Sequence, residues 1–306
     1  MEASFPSRMS KSQISTMATD AYTSFPCELC GGDEFAELRE ARLYTGDQPI
    51  HVCKGCGFVQ VIRRRPPERI AEVWAKELFR GGYTARIPAV KARQVYVAET
   101  IDTNIGLAGK RVCDIGAGEG LFVAMLRDNY GAEVFGVEPS SANCAHMRTQ
   151  GIACFDGTAE QFLGSRGSDQ RFDIITMIWT LENSNSCRRL MDAAWTLLRP
   201  EGHVVLATGS RILVPFKKPL DYYLGTNPAD THAFRFSANT LRGLLAESGF
   251  ETVFVNQYID SDVLCMIGRR TDRSRVIAWA RDDWERVAEF FSRWHQDTAF
   301  YRKSPA

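Results

Sequence analysis

The sequence predicts an α/β protein built around a mostly parallel, doubly wound sheet. From residue 111 to residue 249, short apolar stretches typical of strands alternate with amphipathic stretches typical of helices. Two further apolar stretches, at 251–257 and 263–268, follow each other without a helix between them. That final pair predicts an antiparallel hairpin at one edge of the sheet.

The predicted elements are separated by glycine, proline and polar turns, which interrupt regular backbone structure. Strands are predicted at 111–115, 133–137, 152–155, 172–178 and 203–208. Helices are predicted at 68–79, 88–101, 120–128, 142–150, 187–198, 239–248 and 276–294.

Composition and charge exclude several classes of function. Lys plus Arg and Asp plus Glu balance at 37 each in 306 residues, so no bulk field attracts nucleic acid or an anionic membrane. No stretch approaches the ~18 apolar residues of a membrane span. Residues 1–20 contain no apolar run and are expected to be a disordered leader rather than a secretory signal. We therefore expect a cytoplasmic protein without a membrane partner, for which nucleic acid is not the expected ligand.

A glycine-rich turn follows the predicted strand at 111–115, from Gly116 to Gly120. Glycines let the backbone approach a ligand where a Cβ would clash, which predicts a cofactor at the carboxyl end of this strand. Asp114 precedes the turn, where a carboxylate would repel a dinucleotide pyrophosphate but suits a positively charged cofactor. Glu138 ends the next strand, 22 residues after Gly116, and can bind both hydroxyls of a ribose.

The segments VCDIGAGEG and VFGVEP resemble the first two motifs of the class I S-adenosylmethionine (SAM)-dependent methyltransferases. The amine and the sulfonium of SAM are cationic, so the carboxylate of Asp114 before the glycines would attract this cofactor. Further matches follow in the family's order at 157–160, 172–176 and 197–202. The resemblance covers about residues 105–270 and implies a seven-stranded Rossmann-like sheet. The alternatives are a Rossmann domain for NAD and a sheet without a ligand.

The resemblance also implies roles for individual residues around the cofactor. Asp114, Gly116, Ala117 and Gly118 are expected to line the methionine part of SAM, Glu138 the ribose, and Thr158 and Ala159 the adenine. Relatives often carry Asp where Thr158 stands, so Asp156 is an alternative adenine contact. Tyr83, before the sheet, is expected to cap the cofactor pocket.

Four of the nine cysteines form two Cys-x-x-Cys pairs, with 22 residues between Cys30 and Cys53. In a chain without an export signal, such pairs indicate metal binding rather than disulfides. Two pairs complete a tetrahedral zinc site and leave no open coordination position, so we expect a structural zinc. The alternatives are unrelated thiol pairs or a redox site, and His51 is a weaker candidate ligand. The expected ligands are Cys27, Cys30, Cys53 and Cys56.

Paired cysteines, a helical link and a SAM domain together resemble the zinc-binding methyltransferases of sugar and natural-product biosynthesis. The deoxysugar C-methyltransferases are the best-known members, and the stretch 232–250 is similar to theirs. Those enzymes carry a further C-terminal domain that has no counterpart within these 306 residues. That departure leaves the acceptor molecule open.

The predicted fourth strand is followed by Glu182 and Asn183, where relatives often have Glu-His and use the histidine as a base. Asn cannot accept a proton at neutral pH, which leaves Glu182 as a candidate base. The long connection 209–236 is expected to cover the substrate. It contains His232, whose side chain suits proton transfer near neutrality. The expected catalytic residues are Glu182 and His232, and the expected substrate contacts are Asn183, Tyr222 and Tyr223.

We therefore predict a SAM-dependent methyltransferase for a small molecule, such as a sugar, a nucleotide sugar or another biosynthetic intermediate. O- or N-methylation is favoured because Asn183 replaces the family's base. One alternative is a deoxysugar-type C-methyltransferase that uses Glu182 or His232. The others are an RNA methyltransferase and a non-catalytic, zinc-dependent binding module, which the balanced charge and the intact Asp114 and Glu138 disfavour.

The predicted domain organisation has five regions. They are a disordered leader (1–20), a zinc-binding module (21–65), a helical linker or lid (66–104), the SAM domain (105–270) and a C-terminal helical extension (271–306). An aromatic stripe in the last predicted helix is expected to pack internally or to form a homodimer contact.

Overall fold

The computed structural model describes residues 22–45, 49–64, 88–165, 170–216, 218–224, 232–256 and 263–301. The leader, the predicted helix at 68–79 and Tyr83 lie outside the described residues, as does the side chain of Tyr222. Among the described residues, no helix combines the length and the apolar character that crossing a bilayer requires.

The N-terminal region consists of short strands around one short helix, Arg39–Thr45. The strands are Thr23–Ser24 (β1), Phe35–Glu37 (β2), Ile50–Cys53 (β3), Val59–Val61 (β4) and Arg63–Arg64 (β5). β2, β3 and β4 form an antiparallel meander, and β1 pairs antiparallel with β5.

The remaining strands follow from residue 111 onwards. They are Arg111–Ile115 (β6), Glu133–Glu138 (β7), Ala153–Asp156 (β8), Phe172–Ile178 (β9), Leu198–Thr208 (β10), Phe234–Arg235 (β11), Phe250–Val255 (β12) and Leu264–Arg270 (β13). The α-helices of this part are Pro88–Ile105, Leu121–Tyr130, Ser141–Thr149, Ala159–Gly164, Cys187–Leu197, Leu220–Leu224, Ala238–Glu247 and Trp284–Asp297. Single 3₁₀ turns span Leu181–Asn183 and Ala299–Tyr301.

The central sheet has seven strands in the order β12-β13-β10-β9-β6-β7-β8. β6 to β10 run parallel, whereas β13 is antiparallel to both β10 and β12. This confirms the predicted doubly wound Rossmann-like sheet and its antiparallel edge. β7 and β8 lie on one side of β6, and β9 and β10 lie on the other. Because the strand order reverses at β6, a crevice opens at the carboxyl ends of these strands.

The strand sequences explain why the sheet is covered on both faces. Buried parallel strands are apolar almost throughout, and successive side chains point to opposite faces. Val112 and Ile174 belong to the hydrophobic cluster on one face. Their neighbours Cys113 and Ile175 belong to the cluster on the other face.

Two predicted element boundaries were wrong by five residues or more. β10 begins at Leu198 rather than at 203, because Leu198 already pairs with Phe172 before the register shifts at the turn. The last helix begins at Trp284 rather than at 276, because the side chain of Asp283 caps it by accepting bonds from two backbone amides. Val276 is 94% exposed.

The N-terminal strands, the connection after β10 and the last helix share one hydrophobic core. β11 pairs antiparallel with β4 and completes a four-stranded sheet in the order β11-β4-β3-β2. The core contains Leu38, Ala41, Ile50, Val52, Val59, Val61, Ile212, Leu220, Leu224, Val287, Phe291 and Trp294. The predicted boundaries at residues 65 and 270 therefore separate segments that pack together, and the aromatic stripe is largely internal packing.

Candidate cofactor site and cysteine cluster

The glycine turn after β6 fits tightly against the neighbouring strand ends. Gly116, Gly118 and Gly120 have left-handed φ values of 78°, 56° and 82°, which favour glycine. The amide of Gly116 donates to the carbonyl of Val137 at 2.8 Å. A Cβ on Gly116 would clash with the side chain of Thr180. The first glycine is therefore required by packing as well as by backbone geometry.

Glu138 ends β7 as a nearly buried carboxylate that holds the turn in place. Its Oε2 accepts from the amide of Gly118 and its Oε1 from the amide of Ser140, both at 2.9 Å. Burial raises the pKa of Glu138, and the two amides counteract this effect. Each oxygen retains a lone pair for one further hydrogen bond, as two ribose hydroxyls would require.

Asp114 is buried at the end of β6, where its Oδ1 accepts from the hydroxyl of Thr176 at 2.6 Å. Burial raises the pKa of Asp114 to about 7, against the lowering effect of the Thr176 bond. Near neutrality, a bound cation would therefore shift this group towards its charged form.

A cavity of about 220 Å³ lies between the glycine turn, the end of β9 and the helix Pro88–Ile105. The helix contributes three residues that sequence reasoning missed. Trp179 was missed as well, although its φ of 56° is unusual for a bulky residue and marks a constrained position. The lining comprises Val90, Arg93, Gln94, Asp114, Gly116, Ala117, Gly118, Glu119, Leu121, Phe122, Ile178 and Trp179.

The residues predicted to face adenine lie at the start of the helix Ala159–Gly164. Thr158 is its N-cap, with Oγ1 accepting from the amide of Gln161 and its own amide donating to Oε1 of Gln161. Ala159 is buried, whereas Asp156 is exposed beside Glu138 on the neighbouring strand. Asp156 thus pairs in the sheet with Glu138, the residue predicted to bind the ribose.

The four cysteines of the two pairs form one compact cluster. The sulfurs of Cys27 and Cys56 are 3.6 Å apart, as are those of Cys30 and Cys53, and all four lie within 4.8 Å of one another. Four thiolates around a tetrahedral zinc, with Zn–S bonds of about 2.3 Å, would have sulfurs about 3.8 Å apart. The residues present therefore fit a tetrahedral metal ion.

The loops that carry these cysteines close in the same way. The amide of Gly31 donates to the carbonyl of Cys27, and the amide of Gly57 donates to that of Cys53, both at 2.8 Å. Both glycines have left-handed φ values, 76° and 74°. The glycines after the pairs thus form the sharp turns that close each loop.

The sulfurs are too close for all four to ionise without a cation. The neighbouring Cys53 sulfur raises the pKa of Cys27 to about 12, while the Cys27 thiol lowers that of Cys53 to about 2. The Cys27 thiol also raises the pKa of Cys56. A divalent cation bound among the four sulfurs would stabilise their thiolate forms.

Glu182 and His232 come together beyond the end of β9. Glu182 is fully buried, with the imidazole of His232, the side chain of Thr208 and the backbone of Gly209 around its carboxylate. Burial raises its pKa, and the charge of His232 opposes that shift. Nδ1 of His232 is hydrogen-bonded to the hydroxyl of Ser210, a partner that sequence reasoning missed.

The other predicted acceptor contacts are more dispersed. Nδ2 of Asn183 donates to the carbonyl of Trp179 at 2.9 Å, which ties Asn183 to the rim of the cavity. Tyr223 packs instead in the core of the N-terminal region. Its hydroxyl donates to the carbonyl of Arg211 at 3.2 Å, and its ring centroid lies 4.5 Å from that of Trp294.

Known proteins match the region that contains this site. The methyltransferase-domain family matches residues 89–255, more than half of the chain. The ubiquinone biosynthesis O-methyltransferase of Cupriavidus pinatubonensis is 27% identical over 193 residues, 59% of this chain and 77% of that protein. Its namesake from Pseudomonas aeruginosa is 32% identical over 144 residues, 44% of this chain and 61% of that protein, so the match spans about three fifths of its length.

Solved structures show the same fold. A SAM-dependent methyltransferase from Thermotoga maritima, a possible histamine N-methyltransferase, aligns with a TM-score of 0.51 at 19% identity, covering 66% of this chain and all of that one. The 1,6-didemethyltoxoflavin-N1-methyltransferase of Burkholderia thailandensis also aligns with a TM-score of 0.51, at 18% identity, covering 74% and 97% of the two chains. With the glycine turn, Asp114 and Glu138 in place, the chain belongs to the methyltransferase-domain family and is a class I SAM-dependent methyltransferase.

Proposed function

We propose that this enzyme methylates a hydroxyl group of a small biosynthetic intermediate and that Glu182 and His232 accept its proton. The observation that carries the proposal is the fully buried carboxylate of Glu182 beside the imidazole of His232. A hydroxyl acceptor needs a base for methyl transfer, whereas a neutral amine needs none. The two ubiquinone O-methyltransferases support the same chemistry.

In this proposal, the residues around the cavity hold SAM, which supplies an activated methyl group when bound. Asp114 faces its positive charge, the turn Gly116-Ala117-Gly118 accommodates its methionine part, and Glu138 binds its ribose. Thr158, Ala159 and Asp156 remain the candidates for adenine. The cavity lining and the hydrogen bonds of Glu138 support this assignment.

His232 is the group to which we assign the acceptor's proton. Ser210 holds Nδ1, so we assign proton acceptance to Nε2. Glu182 would stabilise the imidazolium that forms, because a buried carboxylate favours a neighbouring cation. Asn183, tied to the cavity rim, would orient the acceptor hydroxyl, whereas the packing of Tyr223 gives it no direct part.

We further propose that the cysteine cluster holds a structural zinc. The sulfur spacing supports it, and four thiolates leave no coordination position for water or substrate. The metal would stabilise the N-terminal strands and take no part in methyl transfer. The four clustered cysteines are the feature by which the chain resembles the zinc-binding sugar and natural-product methyltransferases. A sugar or nucleotide sugar is therefore one acceptor class to test.

Calorimetry with S-adenosylhomocysteine, followed by an acceptor screen, tests the proposal. The zinc-loaded enzyme and radiolabelled SAM would be incubated with panels of catechols, sugars, nucleotide sugars and amines. We expect hydroxylated compounds to be labelled, and expect Glu182→Gln and His232→Asn to lose this labelling while they retain S-adenosylhomocysteine binding.

Other results would identify a different reaction. Labelling of amines alone, unaffected by Glu182→Gln, would replace O-methylation by N-methylation. Solvent-deuterium incorporation at an acceptor carbon without SAM would indicate C-methylation. Absence of S-adenosylhomocysteine binding by the folded protein would contradict the assigned cofactor pocket.

A further inference from the structure

We propose that the cysteine region positions the acceptor-side turn, residues 181–186, through a clamp made by Glu28, Arg64 and Arg188. The inference rests on the proposed function, because this turn carries Glu182 and Asn183. It assigns Glu28, Arg64 and Arg188 as positioning residues, which act through the turn rather than on the substrate.

Glu28 lies between two metal-ligand candidates in the sequence Cys27-Glu28-Leu29-Cys30, and it is buried. Its Oε2 accepts from the hydroxyl of Ser186 at 2.6 Å and from the amide of Arg188 at 3.2 Å. Ser186 is the N-cap of the helix Cys187–Leu197. A carboxylate from the cysteine loop thus meets the positive end of the helix that follows the turn.

The helix also reaches back to the cysteine loop. Nε of Arg188 donates to the carbonyl of Glu28 at 2.9 Å, and its Nη2 donates to the carbonyl of Leu29 at 2.7 Å. The loop and the helix therefore bind each other in both directions, so a shift of one displaces the other.

Arg64 completes the clamp from the N-terminal region. Its Nη1 donates to Oε1 of Glu28 at 2.8 Å, where it also forms an ion pair, and to the carbonyl of Asn185 at 2.6 Å. The guanidinium is almost fully buried between the rings of Phe25 and Phe234, at 4.3 and 4.5 Å from their centroids. Separating Arg64 from Glu28 would leave a buried charge uncompensated, which is strongly destabilising, so the two side chains are expected to stay paired.

A second backbone link supports the same turn at its other end. The amide of Ala233 donates to the carbonyl of Glu182, and the amide of Val61 donates to the carbonyl of Ala233, both at 2.8 Å. The turn is thus held by the N-terminal region directly at Asn185 and Ser186, and indirectly at Glu182 through Ala233. A metal that fixes the cysteine loops would fix the acceptor side of the active site as well.

The variant Arg188→Met tests the clamp, since it removes the two bonds to the cysteine loop and keeps the cysteines. The readouts are hydrogen exchange of the turn amides, bound zinc and S-adenosylhomocysteine affinity. We expect the amides of Asn183 and Ser184 to exchange roughly tenfold faster or more, because the turn opens locally. Zinc content and S-adenosylhomocysteine affinity should stay as in the wild type.

Two further variants complete the comparison. Arg189→Met changes the exposed neighbour on the same helix and should leave turn exchange unchanged. Arg188→Lys retains a cation that can reach one carbonyl and should restore part of the protection. With a hydroxyl acceptor in hand, Arg188→Met should raise the acceptor KM and leave the KM for SAM unchanged.

Removing zinc from the wild-type protein should expose the same two amides. Unchanged exchange of these amides in both Arg188→Met and the zinc-free protein would overturn the clamp. A wild-type protein that shows protected turn amides but binds no S-adenosylhomocysteine would overturn the proposed function and leave the clamp standing.

Discussion

The amide of Gly118 donates a 2.9 Å hydrogen bond to Oε2 of Glu138. This bond joins the glycine turn after β6 to the acid that ends β7, so the two motifs form one structural unit. Glu138 therefore has two effects at the cofactor site, because it holds the turn and offers its remaining lone pairs to a ribose.

Glu138→Ala should weaken S-adenosylhomocysteine binding by at least about tenfold, since each hydrogen bond to a charged group contributes roughly 1.5–3 kcal/mol. Isothermal titration calorimetry measures the effect. Glu133→Ala is the matched control, because Glu133 begins the same strand and is exposed. Equal affinities for the two variants would contradict the role of Glu138.

Cys30→Ser should reduce bound zinc and lower the Tm, because a tetrahedral structural site needs all four thiolates. Elemental analysis and thermal unfolding report the two effects. Cys154→Ser is the control, since Cys154 is also half-buried but lies outside the cluster. If Cys30→Ser retained wild-type zinc, the cluster would not be the metal site.

SAM affinity should fall as the pH drops below about 7, approaching tenfold per pH unit. The folded-state pKa of Asp114 is raised to about 7, so below that pH the carboxyl is protonated and no longer attracts a cation. The amine of SAM remains protonated over this range. Asp114→Asn should bind SAM more weakly at pH 8 and lose the pH dependence, and a retained dependence would assign it to another group.

Glu182→Gln should be more stable than the wild type at pH 8 and lose methyl transfer to a hydroxyl. Burial raises the folded-state pKa of Glu182, so the wild type loses stability as the pH rises above the unfolded value near 4.5. The difference in Tm should therefore shrink towards pH 4.5.

Glu160→Gln is the control for that comparison, since Glu160 is exposed on the helix Ala159–Gly164. It should leave both the Tm and methyl transfer unchanged. A lower Tm for Glu182→Gln at pH 8 would show that the carboxylate is stabilised by contacts in its charged form.

The sheet could be predicted because its signals are local. Apolar runs, glycine punctuation and the interval between Gly116 and Glu138 are all visible within a few residues of each element. β11 could not be predicted, because a two-residue strand is defined only by its partner β4. The helix boundary at Trp284 was missed because the aromatic stripe begins before the cap at Asp283.

The candidate site could be predicted only where its residues lie next to a recognisable strand end. Asp114 and the glycines face one cavity, as expected from their positions at a strand end. Arg93 was not predicted, since its place depends on how the helix Pro88–Ile105 packs across the sheet. Trp179 was not predicted, because no local sequence pattern indicates its left-handed φ of 56°. Glu182 is contacted by the distant connection after β10, where the amide of Ala233 donates to its carbonyl, and no local pattern around residue 182 reveals this.

The four-stranded sheet that contains β11 determines how this protein can diversify. Three of its strands come from the cysteine region, and the fourth comes from the connection that precedes the helix Ala238–Glu247. Recombination that replaced only the first 65 residues would leave β11 beside a foreign edge and the last helix beside a foreign core. The cysteine region, the connection and the terminal helix must therefore be inherited together, and a change of acceptor by exchange of segments would have to carry all three.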